Sequence, residues 1–129
     1  MKYMNYQKQN KMEGKAKEEM LKWLSANYPL GWKAMEMGGL RPSFQNTLII
    51  DWLDSVNLFI EVYTTWESYN KVKQFSFKII DENDKVLCDK WLSPYFNSRQ
   101  EATEAAIKKA VEIYNSKYGN PQENQEVQI

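Results

Sequence analysis

Histidine is absent from the 129 residues, cysteine occurs once, and neither sign of charge is in excess. Without histidine the commonest general base near neutral pH and the commonest zinc ligand are both missing. The lone thiol, Cys88, has no partner for an internal disulfide. Its surroundings, Lys85-Val86-Leu87-Cys88-Asp89-Lys90, read as extended chain. That context suits a packed thiol in a reducing compartment better than a nucleophile. Seventeen basic residues balance seventeen acidic ones, so the broad basic field that a phosphate-backbone binder needs is not there. No apolar run approaches the roughly 20 residues of a membrane span. Gly38-Gly39 is followed by no Lys-Ser or Lys-Thr, so there is no phosphate loop. Asp81-Glu82-Asn83-Asp84 lacks the glycine of a calcium loop and has the composition of a turn. The first residues carry no apolar h-region, so the expectation is a cytoplasmic protein. No metal and no cofactor are expected.

What is present is an ordinary globular composition, 43% hydrophobic and 26% charged. A chain of this length buries about two thirds of its surface on folding and needs no staple. Charge is mildly sorted: residues 1–41 lean basic and residues 42–97 lean acidic. Polar stretches at 1–11 and 119–129 read as a flexible arm and tail around one domain, 12–118.

From Met12 a helical period emerges. Ala16, Met20, Trp23 and Leu24 share one face, and Pro29 stops the helix, giving about 13–27. Gly31 to Met37 fits two further turns halted by Gly38-Gly39. Two β-rich runs, Thr47–Leu53 and Leu58–Thr64, flank Asp54-Ser55-Val56-Asn57 and predict a hairpin. A three-residue loop, Ser55–Asn57, places Leu48, Ile50, Trp52, Ile60 and Val62 toward the helices. It leaves Asp51 opposite Glu61 on the other face. A second hairpin runs from Val72 to Ile80, turns at Asp81–Asp84 and returns from Lys85 to Leu92. With a four-residue turn, Ile79 meets Val86, Phe77 meets Cys88 and Ser76 meets Asp89. Ser98-Arg99-Gln100-Glu101 fits a capping box, and the stripe from Ala102 to Tyr114 behind it predicts a helix ended by Gly119. The expected architecture is α+β: a four-stranded antiparallel sheet of two hairpins, with N- and C-terminal helices packed on one face.

The face away from those helices carries the candidate partner site. It would show Leu53, Phe59, Tyr63 and Trp91 among Asp51 and Glu61, with Trp66 and Tyr69 from the adjoining connector. Ile49, Leu87, Ser76, Lys78 and Asp89 extend it. Fourteen per cent aromatic residues exceed what one small core needs, and tyrosine and tryptophan dominate interface energetics. The competing reading is that Trp32, Phe44 or the N-terminal arm folds over this face. Asp51 opposite Glu61 would disfavour strand pairing unless a metal, a raised pKa or Lys78 offset it.

Two resemblances bear on function. Phe75-Ser-Phe-Lys-Ile-Ile, the turn, Lys85-Val-Leu-Cys, Ser98-Arg-Gln-Glu-Ala and Lys108-Lys109-Ala110 together resemble the second half of a double-stranded-RNA-binding domain over about 45 residues. That family places paired lysines at the helix start, where this chain has Arg99 and Gln100 beside Glu101. The resemblance therefore implies topology alone. Asp51-Trp-Leu-Asp-Ser-Val-Asn57 with an aromatic strand, and Ser98-Arg-Gln-Glu-Ala102, resemble small proteins of Bacteroides-type bacteria and their phages over residues 45–116. This second likeness implies no activity; it implies a phage or mobile-element accessory protein acting on a host protein.

The expectation is a non-enzymatic module that binds a protein, or a second copy of itself. The alternative is nucleic-acid binding through Lys8, Lys11, Lys15, Lys17, Lys22, Arg99, Lys108 and Lys109. An enzyme would have only Asp51, Glu61 and Asp89 to work with.

Overall fold

A computed structural model describes residues 12–67, 72–89 and 95–119. Along the chain run α1 (Gly14–Asn27), α2 (Pro29–Glu36), α3 (Pro42–Ser55), β1 (Phe59–Glu67), β2 (Val72–Ile80), β3 (Val86–Asp89) and α4 (Arg99–Tyr118). The class is α+β, with four helices and a three-stranded antiparallel sheet in the order β1-β2-β3 among the described residues. Two compact units divide the chain, Met1–Leu40 with Val111–Ile129, and Arg41–Ala110. No helix among the described residues is long and apolar enough to cross a membrane.

In the first unit, α1 buries Ala16, Met20 and Leu24 at steps of four, while Trp23, expected on the same face, is half-buried. Its first residue, Gly14, has φ +65°. Proline opens α2 at the position where a missing N–H costs nothing. No residue of α2 is buried, and Leu30 is 83% exposed.

The second unit corrects the predicted first hairpin. The described residues hold three strands rather than four: where the sequence predicts a strand at Thr47–Leu53, residues 42–55 form a helix. Pro42 again opens it, and the buried positions Gln45, Asn46, Ile49, Trp52 and Leu53 trace one stripe of a 3.6-residue period. The segment predicted as the hairpin loop ends this helix instead. Asn57 takes the left-handed conformation, φ 66°. Leu58 N–H donates to the Leu53 carbonyl at 3.0 Å, and Asn57 N–H to the Asp54 carbonyl at 3.1 Å. Those two bonds make a Schellman motif, with Leu58 and Leu53 both buried as its apolar contact. Leu48, Ile50 and Trp52 therefore belong to a helix, and Asp51 does not face Glu61.

In the sheet, β1 and β2 pair without a break from Phe59↔Ile80 to Glu67↔Val72. Between β2 and β3 the pairs are Lys78↔Asp89, Ile79↔Cys88 and Ile80↔Val86, leaving Leu87 as a bulge. The predicted pairs of the second hairpin are thus two residues out. The turn at 81–84 stands, but Asp81 N–H bonds Lys85 carbonyl at 3.0 Å, so the loop itself is Glu82–Asp84. Asp84 lies at φ 62°, and the Asp81 carboxylate accepts from Asn83 N–H at 2.8 Å and Lys85 N–H at 3.0 Å. That is a three-residue hairpin loop with a left-handed last residue.

Alternation then sets two faces. Ile60, Val62, Phe75, Phe77, Ile79 and Cys88 share one, where Phe77 and Ile79 are fully buried. Phe96 makes a single bridge to Phe75 and stacks on Phe77 with ring centroids 6.1 Å apart. The helix that follows has half of its predicted box: Ser98 Oγ accepts from Glu101 N–H at 3.1 Å, whereas Glu101 Oε1 accepts from Asn97 N–H at 3.2 Å, one residue before the cap. Ala102, Ala106, Ile107 and Ala110 are buried.

Candidate functional site

The second face of the sheet carries Phe59, Glu61, Tyr63 and Thr65 from β1, Gln74, Ser76, Lys78 and Ile80 from β2, and Asp89 from β3. Its centre is a row across all three strands, Glu61, Lys78 and Asp89. Lys78 Nζ lies 3.6 Å from Glu61 Oε1. One row along, Tyr63 opposes Ser76, and the Tyr63 hydroxyl donates to Asp89 Oδ1 at 2.8 Å. Ser76 is fully buried beside it. The next row pairs Thr65 with Gln74. Thr65 Oγ1 and Gln74 Oε1 are buried and have no hydrogen-bond partner among the described residues.

Three of the candidate residues come together here: Phe59, Glu61 and Tyr63, with Ser76, Lys78 and Asp89 around them. The others do not join. Leu53 and Ile49 are buried in α3, so neither can meet a partner. Asp51 also lies on α3, where it helps to push the Asp54 carboxyl above its usual range, second to burial. Trp66 holds the register position opposite Lys73; its side chain, and residues Tyr69 and Trp91, lie outside the described residues. The acidic pair proposed from the sequence is replaced by an opposite-charge pair, Glu61 with Lys78.

Burial raises the Tyr63 phenol above 10.0; a hydrogen bond with Ser76 pulls it down and the bond to Asp89 pushes it up again. The phenol therefore stays protonated at neutral pH and donates to Asp89. A folded-state pKa above the unfolded one contributes stability in full below about pH 10 and loses it as pH rises through the folded value. We expect Tyr63→Phe to narrow the loss of thermal stability between neutral pH and the strongly alkaline range. Melting curves of both proteins across that range measure it, and parallel losses would contradict the assignment.

No group of three or more carboxylate, thiol or imidazole side chains able to hold a metal ion occurs among the described residues. Two of the three basic candidates on α1, Lys15 and Lys22, are engaged, while Lys17 is exposed. Lys15 Nζ lies 3.4 Å from Glu18 and 3.3 Å from Glu19, and Lys22 reaches the same two carboxylates. Arg99 stacks over the Phe75 ring at 5.2 Å. Lys8 and Lys11 lie outside the described residues. Comparison with models of protein families, with curated proteins and with solved structures gives no match to this chain.

Proposed function

We propose that the chain is a non-catalytic module that binds a protein through the polar face of its sheet. The observation that carries this is the row Glu61, Lys78 and Asp89 flanked by the half-buried rings of Phe59 and Tyr63. Flat apolar rings among paired charges give a partner both area and register. Two carboxylates against one ammonium repel phosphate, which weighs against the nucleic-acid reading, as does the engagement of Lys15 and Lys22 by Glu18 and Glu19. The likeness to small phage-associated proteins fits a cytoplasmic accessory role against a host protein.

The test is a capture experiment from lysate of the source cell. Immobilised wild type should retain a protein that a Glu61→Lys, Asp89→Lys double variant of unchanged circular dichroism loses. Equal capture by both overturns the assignment of the face. Duplex RNA or DNA bound at tens of micromolar, with affinity falling steeply in salt, overturns the choice of partner.

A further inference from the structure

We propose that β1 is a self-association edge: two copies of this chain pair antiparallel along β1, centred on Tyr63, and join their sheets. The proposal concerns the strand's open edge, and it stands independently of the polar face as a site for another protein.

The two edges of the sheet are built differently. On one side, β3 has four described residues, a bulge at Leu87 and the Phe75–Phe96 bridge beyond it. Short length and bulges are the usual protections against stray pairing. On the other side, β1 runs for nine residues in unbroken register. Its sequence, Phe-Ile-Glu-Val-Tyr-Thr-Thr-Trp-Glu, contains no proline and no lysine. None of Phe59–Thr65 is buried, whereas the central strand buries Ser76, Phe77 and Ile79. Apart from the ladder to β2, no backbone hydrogen bond of β1 occurs among the described residues. An open edge of this length, rich in β-branched and aromatic residues, is a template for a strand of like kind.

Charge selects the register and the occupant. A two-fold antiparallel pair must place some residue opposite itself. Centring on Glu61 or Glu67 sets like acids face to face, and centring on Thr64 sets Glu61 opposite Glu67. Like charges directly opposed destabilise a strand pair. Centring on Tyr63 uses all nine residues and avoids every such clash. Phe59 then meets Glu67 of the second copy, Glu61 meets Thr65, and Val62 meets Thr64. The Thr65 hydroxyl, buried and unpartnered among the described residues, comes opposite a carboxylate that can accept a hydrogen bond from it. A second copy supplies all of this without any foreign sequence.

Sedimentation velocity on the full chain should show a monomer–dimer equilibrium. Thr64→Lys, a change at an exposed position, should weaken the dimer by about tenfold or more, as edge lysines do. In a Cys88→Ser background, Tyr63→Cys should give a disulfide-linked dimer on mild oxidation, because directly opposed Cα atoms lie about 4.5–5.5 Å apart. Thr64→Cys in the same background should not. A protein that stays monomeric up to about 100 µM, the weak end of specific association, overturns the proposal. So does a dimer indifferent to Thr64→Lys, or one that links through position 64 rather than 63.

Discussion

Replacing Trp52 with alanine is expected to cost about 3–5 kcal/mol of folding stability. The indole is 1% exposed and sits within the stripe Gln45, Asn46, Ile49, Trp52 and Leu53 on α3. Truncation forfeits the transfer of a large aromatic surface and leaves a cavity that a close-packed interior fills only in part. Domains of this size hold about 5–15 kcal/mol in total, so about a fifth or more would go. Urea titration should show a lower midpoint with an unchanged slope. Leu53→Ala separates helix from strand. In the helix Leu53 is fully buried and closes the Schellman motif on Leu58, so it should lose about 2–5 kcal/mol. On a strand it would face outward and lose little. A loss under about 1 kcal/mol at both positions would contradict the packing of α3.

The run Thr47–Leu53 within α3 reads as a strand for a physical reason. Its apolar residues Leu48, Ile49 and Ile50 are consecutive, and a short continuous run does not distinguish the two periods. The residues that complete the helical stripe, Gln45 and Asn46, are polar. Both are buried, and Asn46 Nδ2 reaches Glu104 Oε2 on α4 at 3.5 Å. A hydrogen bond across 58 residues of sequence is what makes a buried amide acceptable, and it leaves no local mark. Asn57 misled in the same way, since a left-handed asparagine serves hairpin turns and helix ends alike.

Elsewhere local chemistry carried the outcome. Pro29 and the Ala16, Met20, Leu24 spacing delimit α1 to within a residue, and Ser98 with Glu101 marks the start of α4. Strand parity was legible too, because Phe75, Phe77 and Ile79 alternate with Ser76 and Lys78. Register was not. The loop proved one residue shorter than its composition suggested, and Leu87 bulges. Each displaces the pairing by one, and together they restore the original faces. For that reason Phe59, Glu61, Tyr63, Lys78 and Asp89 share a face although the neighbours assigned to them were wrong.

The start of α1 shows the limit most plainly, and it yields the second large effect. No side chain of its own caps this helix, and its first turn carries no acid, so its leading N–H groups need a partner from elsewhere. Asn115, near the end of α4, supplies one. Its Oδ1 accepts from Ala16 N–H at 2.8 Å while its Nδ2 donates to Glu13 carbonyl at 2.9 Å. The amide thus acts as a helix cap from 99 residues away. Asn115→Ala should cost about 1–3 kcal/mol, since two bonds go and one N–H is orphaned. Asn115→Asp should cost less. It keeps the acceptor and places a negative charge at the positive end of the helix, but it loses the donor and crowds the Glu13 carbonyl. Gly14 explains why the clasp fits. A Cβ there would lie 3.1 Å from Asn115 Nδ2, and its φ of +65° already disfavours any side chain. Gly14→Ala should therefore cost about 1–2 kcal/mol in the native background. In the Asn115→Ala background only the backbone strain remains, so the two losses should fall short of additive. Amide exchange at Ala16 reads the clasp directly. Faster exchange in Asn115→Ala at unchanged protection of the β2 core is the expected pattern. Unchanged exchange at Ala16 would mean that water replaces the asparagine at no cost and that α1 is held by its buried face alone.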